Sequence, residues 1–220
     1  MATERKVEQM KTYHKIQTVY KRDPDNMKCL LRGEYSKPEF EYLAQDKWVF
    51  TEKVDGTNIR VMFKDGKVTF GGKSDNAMIP VPLTNRLTER FFDPTMFSIL
   101  RNAFPYCDAC LYGEGYGAKI QKGSGNYRHD QDFVLFDVKV GDWWLKRDDV
   151  QDVANKLGLD VVPIIGGRGT LDDMTDLCAI GFKSQWGPFL AEGIVARPVV
   201  ELFARNGERI IAKLKHRDFA

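Results

Sequence analysis

Histidine and cysteine are scarce in this chain, and neither is spaced as a metal centre requires. The three histidines, His14, His129 and His216, lie far apart with no HxH or HxxxH spacing, which argues against a histidine-built metal site. Of the four cysteines, only Cys107 and Cys110 have ligand spacing, and no second pair completes a zinc or redox motif. Cys29 and Cys178 stand alone, so reduced thiols of a cytosolic protein are the expectation. No apolar run approaches the ~20 residues of a membrane span, and the start Met1-Ala2-Thr3-Glu4-Arg5-Lys6 lacks the apolar core of a secretion signal. A cytoplasmic location without a membrane partner follows as an expectation. An excess of one charge is also missing. With a formal net charge of +2, affinity for nucleic acid would need a local basic groove.

What is present suits a folded globule. The 220 residues are 43% hydrophobic and 29% charged, without repeats, low-complexity segments or a long linker. One domain over residues 1–220 is expected, with no motif recognised in residues 1–40. Asp65-Gly66 sits between β-rich runs at Asn58–Phe63 and Lys67–Phe70, and Asn206-Gly207 between Val199–Arg205 and Arg209–Leu214, so both read as hairpins. Further strands are expected at Trp48–Phe50, Leu111–Gly113, Phe133–Val140 and Gly193–Arg197. Helices are expected at Thr88–Phe104, Arg147–Leu157 and Leu171–Phe182, the second with Asp148 and Asp149 at its start and Gly158 at its end. Gly166-Gly-Arg-Gly169 reads as a loop whose arginine suits phosphate. Strands outnumber helices and come as hairpins, which predicts an α+β fold with mostly antiparallel sheets flanked by helices.

Familiar phosphate motifs fail on inspection. Gly71-Gly72-Lys73-Ser74 resembles the end of a P-loop, but the first glycine is replaced by Lys67 and the segment runs to Pro80 instead of into a helix. Gly113-Glu-Gly115-Tyr-Gly117 is not GxGxxG. His216-Arg217-Asp218 resembles a kinase catalytic loop, yet Ala220 follows before any metal-binding Asn.

A different series remains: Lys53-Val-Asp-Gly56, Gly113-Glu114-Gly115, Phe133-Val-Leu-Phe136-Asp137-Val138, Glu192-Gly193-Ile-Val-Ala-Arg197 and Lys213-Leu-Lys215. In this order it resembles the motifs of the covalent nucleotidyltransferases, the superfamily of ATP-dependent ligases and mRNA capping enzymes. Glu52-Lys53-Val-Asp-Gly-Thr-Asn58, Gly113 to Lys122, and Ala191 to Pro198 leading to Arg205–Lys215 are most similar to phage RNA ligases that seal nicks in duplex RNA. The likeness runs from about Trp48 to the C-terminus.

The resemblance implies an ATP-grasp-like adenylyltransferase domain without a C-terminal OB-fold domain, acting as a monomer. Its substrates would be ATP, with Mg²⁺ or Mn²⁺, and RNA at nicks or ends, DNA-containing hybrids among them. Lys53 would be the nucleophile that carries AMP, Glu52 would lie against adenine, Phe136 would stack on the base and Glu114 would hold the ribose. Asn58 and Lys73 would position sugar or phosphate, although the closest relatives have arginine at position 73, and lysine loses the bidentate fork. Glu192 would place the metal, Lys213 and Lys215 would hold phosphates, and Asp137 would support the site.

The chemistry asks for these types. A lysine attacks phosphorus only as the neutral amine, and a free lysine titrates near ~10.4. Neighbouring cations, here Lys213, Lys215 and a metal, are expected to favour that neutral form. A lysine–AMP bond splits one difficult transfer into two easier ones. The loop Tyr116–Arg128 interleaves Lys119, Lys122 and Arg128 with Tyr116 and Tyr127, a composition that suits contact with a nucleic-acid backbone and its bases.

Each residue also has a plainer reading. Lys53 alone is a solvated lysine, Phe136 a core residue, Glu114 an edge carboxylate, Glu192 a partner for Arg197, and the lysines at 213 and 215 one solvated strand face. Trp143, Trp144 and Trp186 read as packing residues. A DNA ligase, a capping-like GTP enzyme and a non-catalytic nick-binding module stay open as alternatives.

Overall fold

The computed structural model describes residues 12–219. The charged start at residues 1–6 lies outside them. In chain order the elements are β1 (Gln17–Thr18), β2 (Tyr20–Arg22), β3 (Leu30–Tyr35), α1 (Pro38–Tyr42), β4 (Trp48–Lys53), β5 (Thr57–Lys64), β6 (Lys67–Gly71), α2 (Val81–Phe91), α3 (Pro94–Ala103), β7 (Ala109–Gly117), β8 (Gln131–Val140), β9 (Trp143–Trp144), α4 (Arg147–Leu157), β10 (Ile164–Gly169), α5 (Leu171–Ile180), β11 (Gly193–Pro198) and β12 (Ala212–Lys215). Among these residues no helix is long and apolar enough to cross a membrane. All four cysteines are free thiols.

Two five-stranded sheets carry the fold, in the orders β1-β12-β11-β4-β10 and β6-β5-β7-β8-β9, with β2 and β3 forming a separate pair. Every pairing is antiparallel except β1 with β12. The α+β expectation therefore holds. Ile59, Leu83, Leu87, Leu111, Phe133 and Leu135 knit the second sheet to α2 and the segments around it. Trp48, Phe50, Leu171, Met174, Ile194 and Leu214 do the same between the first sheet and α5.

Alternation along the first sheet decides which side chains face its other side. Trp48 and Phe50 are buried on β4, Ile194 and Ala196 on β11, Ala212 and Leu214 on β12. With a side-chain period of two, Thr51 and Lys53, Val195 and Arg197, and Lys213 and Lys215 turn to the opposite face. That face looks into the cleft between the sheets.

Local chemistry accounts for most elements. Asp65 and Gly66 both take positive φ, 49° and 67°, the geometry of a tight hairpin turn. Gly158 ends α4 in the left-handed region at φ 60°. Thr170 and Asp173 form a reciprocal capping box at the start of α5.

Three expectations need correction. The single helix at Thr88–Phe104 is two helices, because Pro94 cannot donate within a helix and instead starts α3, with Asp93 accepting from the N–H groups of Thr95 and Met96. Gly166–Gly169 is not a loop but part of edge strand β10, irregular where Gly166 and Gly167 take φ of 64° and 75°. Around Asn206-Gly207 the turn forms, but only Ala212–Lys215 and an isolated Phe203–Arg209 bridge pair as strand. Arg209 there is drawn inward to Glu201 and Asp137.

Gly193 leaves no room for a side chain between β11 and β12: a Cβ there would stand 2.1 Å from the Leu214 carbonyl oxygen. Gly193→Ala is expected to destabilise the protein by about 1–3 kcal/mol, the usual cost of overpacking, read as a lowered urea midpoint.

Candidate active site

A cavity of about 380 Å³ opens in the cleft. The register of the first sheet sets the lysines beside it. Lys53 pairs with Gly193, and Gly193 with Lys215, so the two lysines share a row with only a glycine between them. Glu192, the next residue along, reaches both amines: Lys53 Nζ donates to its Oε2 and Lys215 Nζ to its Oε1, each at 2.6 Å. A parallel row holds Thr51, Val195 and Lys213. Glu192 thus pairs with Lys53 and Lys215, while Arg197 pairs with Asp137.

The Lys53 turn is equally constrained. A Cβ on Gly56 would meet the Gly115 carbonyl oxygen at 2.2 Å, so only glycine lets the turn lie against β7. Across that contact β5 pairs Asn58 with Glu114. Lys53, Asn58, Glu114, Lys73, Glu52 and Phe136 all line the cavity, as does Lys213.

Phe136 owes its position to an irregularity. The register of β7 with β8 passes from Tyr112–Asp137 to Gly113–Leu135, which leaves Phe136 as the extra residue of a bulge. Its neighbours Leu135 and Asp137 are fully buried, whereas Phe136 is half-buried and turned to the cavity. Its carbonyl, freed from the ladder, accepts from Arg147 and Arg197 at 3.4 Å.

Behind Phe136 lies a buried charge network. The fully buried Asp137 carboxylate accepts from Arg209 at 2.5 Å, Tyr13 at 2.7 Å and Arg197 at 2.9 Å. Arg209 is held further by Glu201 and sits over the Trp144 ring at 4.4 Å. Burial would raise the Asp137 carboxyl, but Arg197 and Arg209 hold it below the ordinary carboxylate range. The network fixes the cavity's inner wall through mutually satisfied charges. It also gives Trp144 a partner beyond apolar packing.

Charge in the cleft departs from one expectation. Burial favours neutral Lys53, yet Glu192 and then Glu114 outweigh it and raise the amine above its usual range. The lysine pushed down is Lys213, to about 8, by burial and by the amines of Lys53 and Lys215. Cationic neighbours therefore act on Lys213, and in the free protein Glu192 keeps Lys53 charged. Burial also drives the Glu114 carboxyl up to about 8, against Lys53 and with help from Glu192 and Asp55.

The loop after β7 is divided. Lys119 and Lys122 are exposed, and Gln121 donates to the Gly56 carbonyl at 3.3 Å, which places the loop beside the Lys53 turn. Arg128 is already engaged by Asp130 and Asp132 at 2.5 and 2.7 Å. Tyr116 and Tyr127 are buried in a cluster with Val54 and Trp186, so they offer no face to a base.

Sequence reading missed Tyr13, His14, Lys15 and Ile16, which line the cavity from before β1. No periodicity or motif marks them; only the chain path brings them to Phe136, whose ring Tyr13 meets edge-on at 5.0 Å. Arg197 had a signal, its place in Glu192-Gly-Ile-Val-Ala-Arg197, but no role. Among the described residues no group of three His, Cys, Asp or Glu side chains could hold a metal by itself. Glu192 is the carboxylate nearest Lys53, and a hard cation commonly uses one or two carboxylates plus phosphate oxygens.

Fold and cleft together are those of a mixed α+β domain whose cavity lies between two mostly antiparallel sheets. A family model described as RNA ligase matches residues 46–215, and the chain belongs to that family. Among solved structures, an apo mutant of the Naegleria gruberi RNA ligase superposes with a TM-score of 0.61 at 22% identity, over 82% of this chain and 52% of that one. A mutant of the same protein with ATP and Mn gives 0.62 at 23% identity, over 82% and 54%. The form with PPi gives 0.60 at 22%, over 81% and 52%. The chain spans about half the length of these structures.

An acid whose folded-state pKa is raised binds its proton more tightly when folded. The protein should therefore lose stability as pH rises from the unfolded Glu value of 4.5 towards the folded value of about 8. Glu114→Gln lacks this titration. The difference in Tm, variant minus wild type, is expected to rise between pH 5 and pH 8 and then level off, as calorimetry at several pH values would show.

Proposed function

We propose that this chain is the adenylyltransferase core of an ATP-dependent RNA ligase that forms a lysyl-AMP intermediate on Lys53 and seals 5′-phosphate to 3′-hydroxyl ends at nicks in duplex RNA. The observation that carries the reading is the Lys53–Gly193–Lys215 row bridged by Glu192, whose Lys53 lines a nucleotide-sized cavity. ATP and Mn in a solved relative of the same fold support the choice of nucleotide and of a divalent ion.

The residues fit such a ligand. Glu52 Oε1 and Asn58 Oδ1 are buried acceptors without partners on the cavity's lining residues, and buried acceptors normally have donors. Adenine's amino group would satisfy Glu52, and a ribose hydroxyl would satisfy Asn58 or Glu114. Phe136, held edge-on by Tyr13, offers its face to the base. Lys213, Lys215 and Lys73 would hold the phosphates.

In the first step the Lys53 nitrogen lone pair forms a bond to the α-phosphorus, and the bond to the leaving pyrophosphate breaks. Before attack the Lys53 ammonium loses a proton to solvent, so its pair with Glu192 must open. Glu192 would hold a divalent cation, which would supply positive charge to offset that on the phosphates. Lys215, which shares Glu192 with Lys53 in the free protein, would meet the pyrophosphate side. The AMP then passes to a 5′-phosphate, and a 3′-hydroxyl displaces it. Exposed Lys119 and Lys122, beside the Lys53 turn, would meet the RNA backbone.

Incubation with α-labelled ATP and Mn²⁺ or Mg²⁺ is expected to label the wild-type protein covalently and to leave Lys53→Ala unlabelled. Labelling by GTP in place of ATP would point to a capping-like enzyme, and no label with either nucleotide to a binding module. On nicked RNA, Lys119→Ala with Lys122→Ala should reduce the slope of log affinity against log salt by about one per lost phosphate contact. Sealing assays on nicked RNA, nicked DNA, hybrids and single strands then rank the substrates.

A further inference from the structure

Tyr127 and Trp186 are large residues beside the cleft that the proposed chemistry leaves without a task. Tyr127 packs edge-on against Phe189 at 4.9 Å, Trp186 at 5.6 Å and Tyr116 at 6.1 Å, in a cluster that also buries Val54. Val54 follows Lys53 directly in the chain. The cluster also makes a polar contact on each side of that lysine. After it, the Asp55 N–H donates to the Tyr127 hydroxyl at 3.2 Å. Before it, Glu52 Oε2 accepts from the backbone N–H of Gln185, adjacent to Trp186, at 2.9 Å. The turn that presents this N–H is closed by Ser184, whose N–H donates to the Phe189 carbonyl at 2.8 Å and whose hydroxyl accepts from the Trp186 N–H at 3.1 Å.

We infer that Tyr127, with Trp186 and Phe189 behind it, is a positioning clamp: its hydroxyl fixes the backbone just after Lys53, while the adjoining turn holds the Glu52 side chain just before it, and together they aim the amine. The inference rests on Lys53 being the nucleophile. A flexible lysine reaches a phosphorus in many geometries, and few of them are in line with the leaving group. Holding the strand end and the turn together removes much of that freedom, and small misplacements of a reacting group cost rate steeply. The clamp also joins two loops to the nucleophile. Residues 184–189 grip Glu52, while the loop bearing Lys119 and Lys122 grips Asp55 through Tyr127 and Gly56 through Gln121. A backbone bound at those lysines would bear on the same turn.

Tyr127→Phe keeps the ring and removes the hydroxyl. Two readouts test it beside a thermal melt: amide exchange at Asp55 by NMR, and the kinetics of AMP transfer to Lys53. Exchange at Asp55 is expected to quicken at least about tenfold with β5–β7 protection intact, and the transfer rate at saturating ATP to fall about tenfold while KM for ATP stays within about twofold. Trp186→Phe, which retains an aromatic ring, should restore most of the rate lost in Trp186→Ala. Unchanged Asp55 exchange, or an unchanged saturated rate, in folded Tyr127→Phe would overturn the clamp, and so would a fall that resides wholly in KM. A wild-type protein that takes no label while Asp55 exchange still responds to Tyr127→Phe would instead remove the ligase reading and leave the backbone contact standing.

Discussion

One carboxylate between two amines organises the cleft. Glu192 stands 2.6 Å from both Lys53 and Lys215, and neither contact is possible unless β4, β11 and β12 keep their register. A slip of one residue would turn the lysines into the core and Phe50 or Leu214 out of it. The apolar anchors that stabilise the sheet are thus the same residues that aim the charges. Gly193 completes the arrangement, since it is the one position in the row where a side chain would both clash and fill the space between the amines.

The opposite wall is built on a different principle. A bulge turns Phe136 to the cavity from an otherwise buried strand, and the carbonyl it frees is taken up by two arginines. Asp137, one residue on, is fully buried and bound by Arg197, Arg209 and Tyr13. Removing one partner of such a set leaves an uncompensated buried charge, so the wall behind Phe136 is held by electrostatics as well as by packing. The cleft therefore has one wall fixed by satisfied charge and another in which Lys53 and Lys215 share a single carboxylate.

Much of this was legible in the chain. Trp48-Val-Phe50 and Ala212-Lys-Leu-Lys215 alternate, and alternation alone places Lys53, Lys213 and Lys215 on exposed faces. Asp65-Gly66, Asp148, Asp149 and Gly158 marked their turn and helix ends because those signals act through neighbouring backbone atoms. The break at Pro94 was equally local and was outweighed by the apolar periodicity spanning it. Strand β10 was not legible, because a glycine-rich edge strand is held by its partner β4 and not by its own preference.

Sequence by itself determined the mostly antiparallel α+β pattern, the Asp65-Gly66 hairpin and the order of the motifs, since these depend on side-chain period and turn chemistry within a few residues. Tertiary structure alone decided what each charge meets. It set Glu192 between Lys53 and Lys215 and so reversed the expected direction of the Lys53 shift. It engaged Arg128 with Asp130 and Asp132, buried Tyr116 and Tyr127, and brought Tyr13 to Asp137 across 124 positions of chain. A residue's ionisation and reach follow from its distances to other groups, and those distances exist only once the sheets have packed.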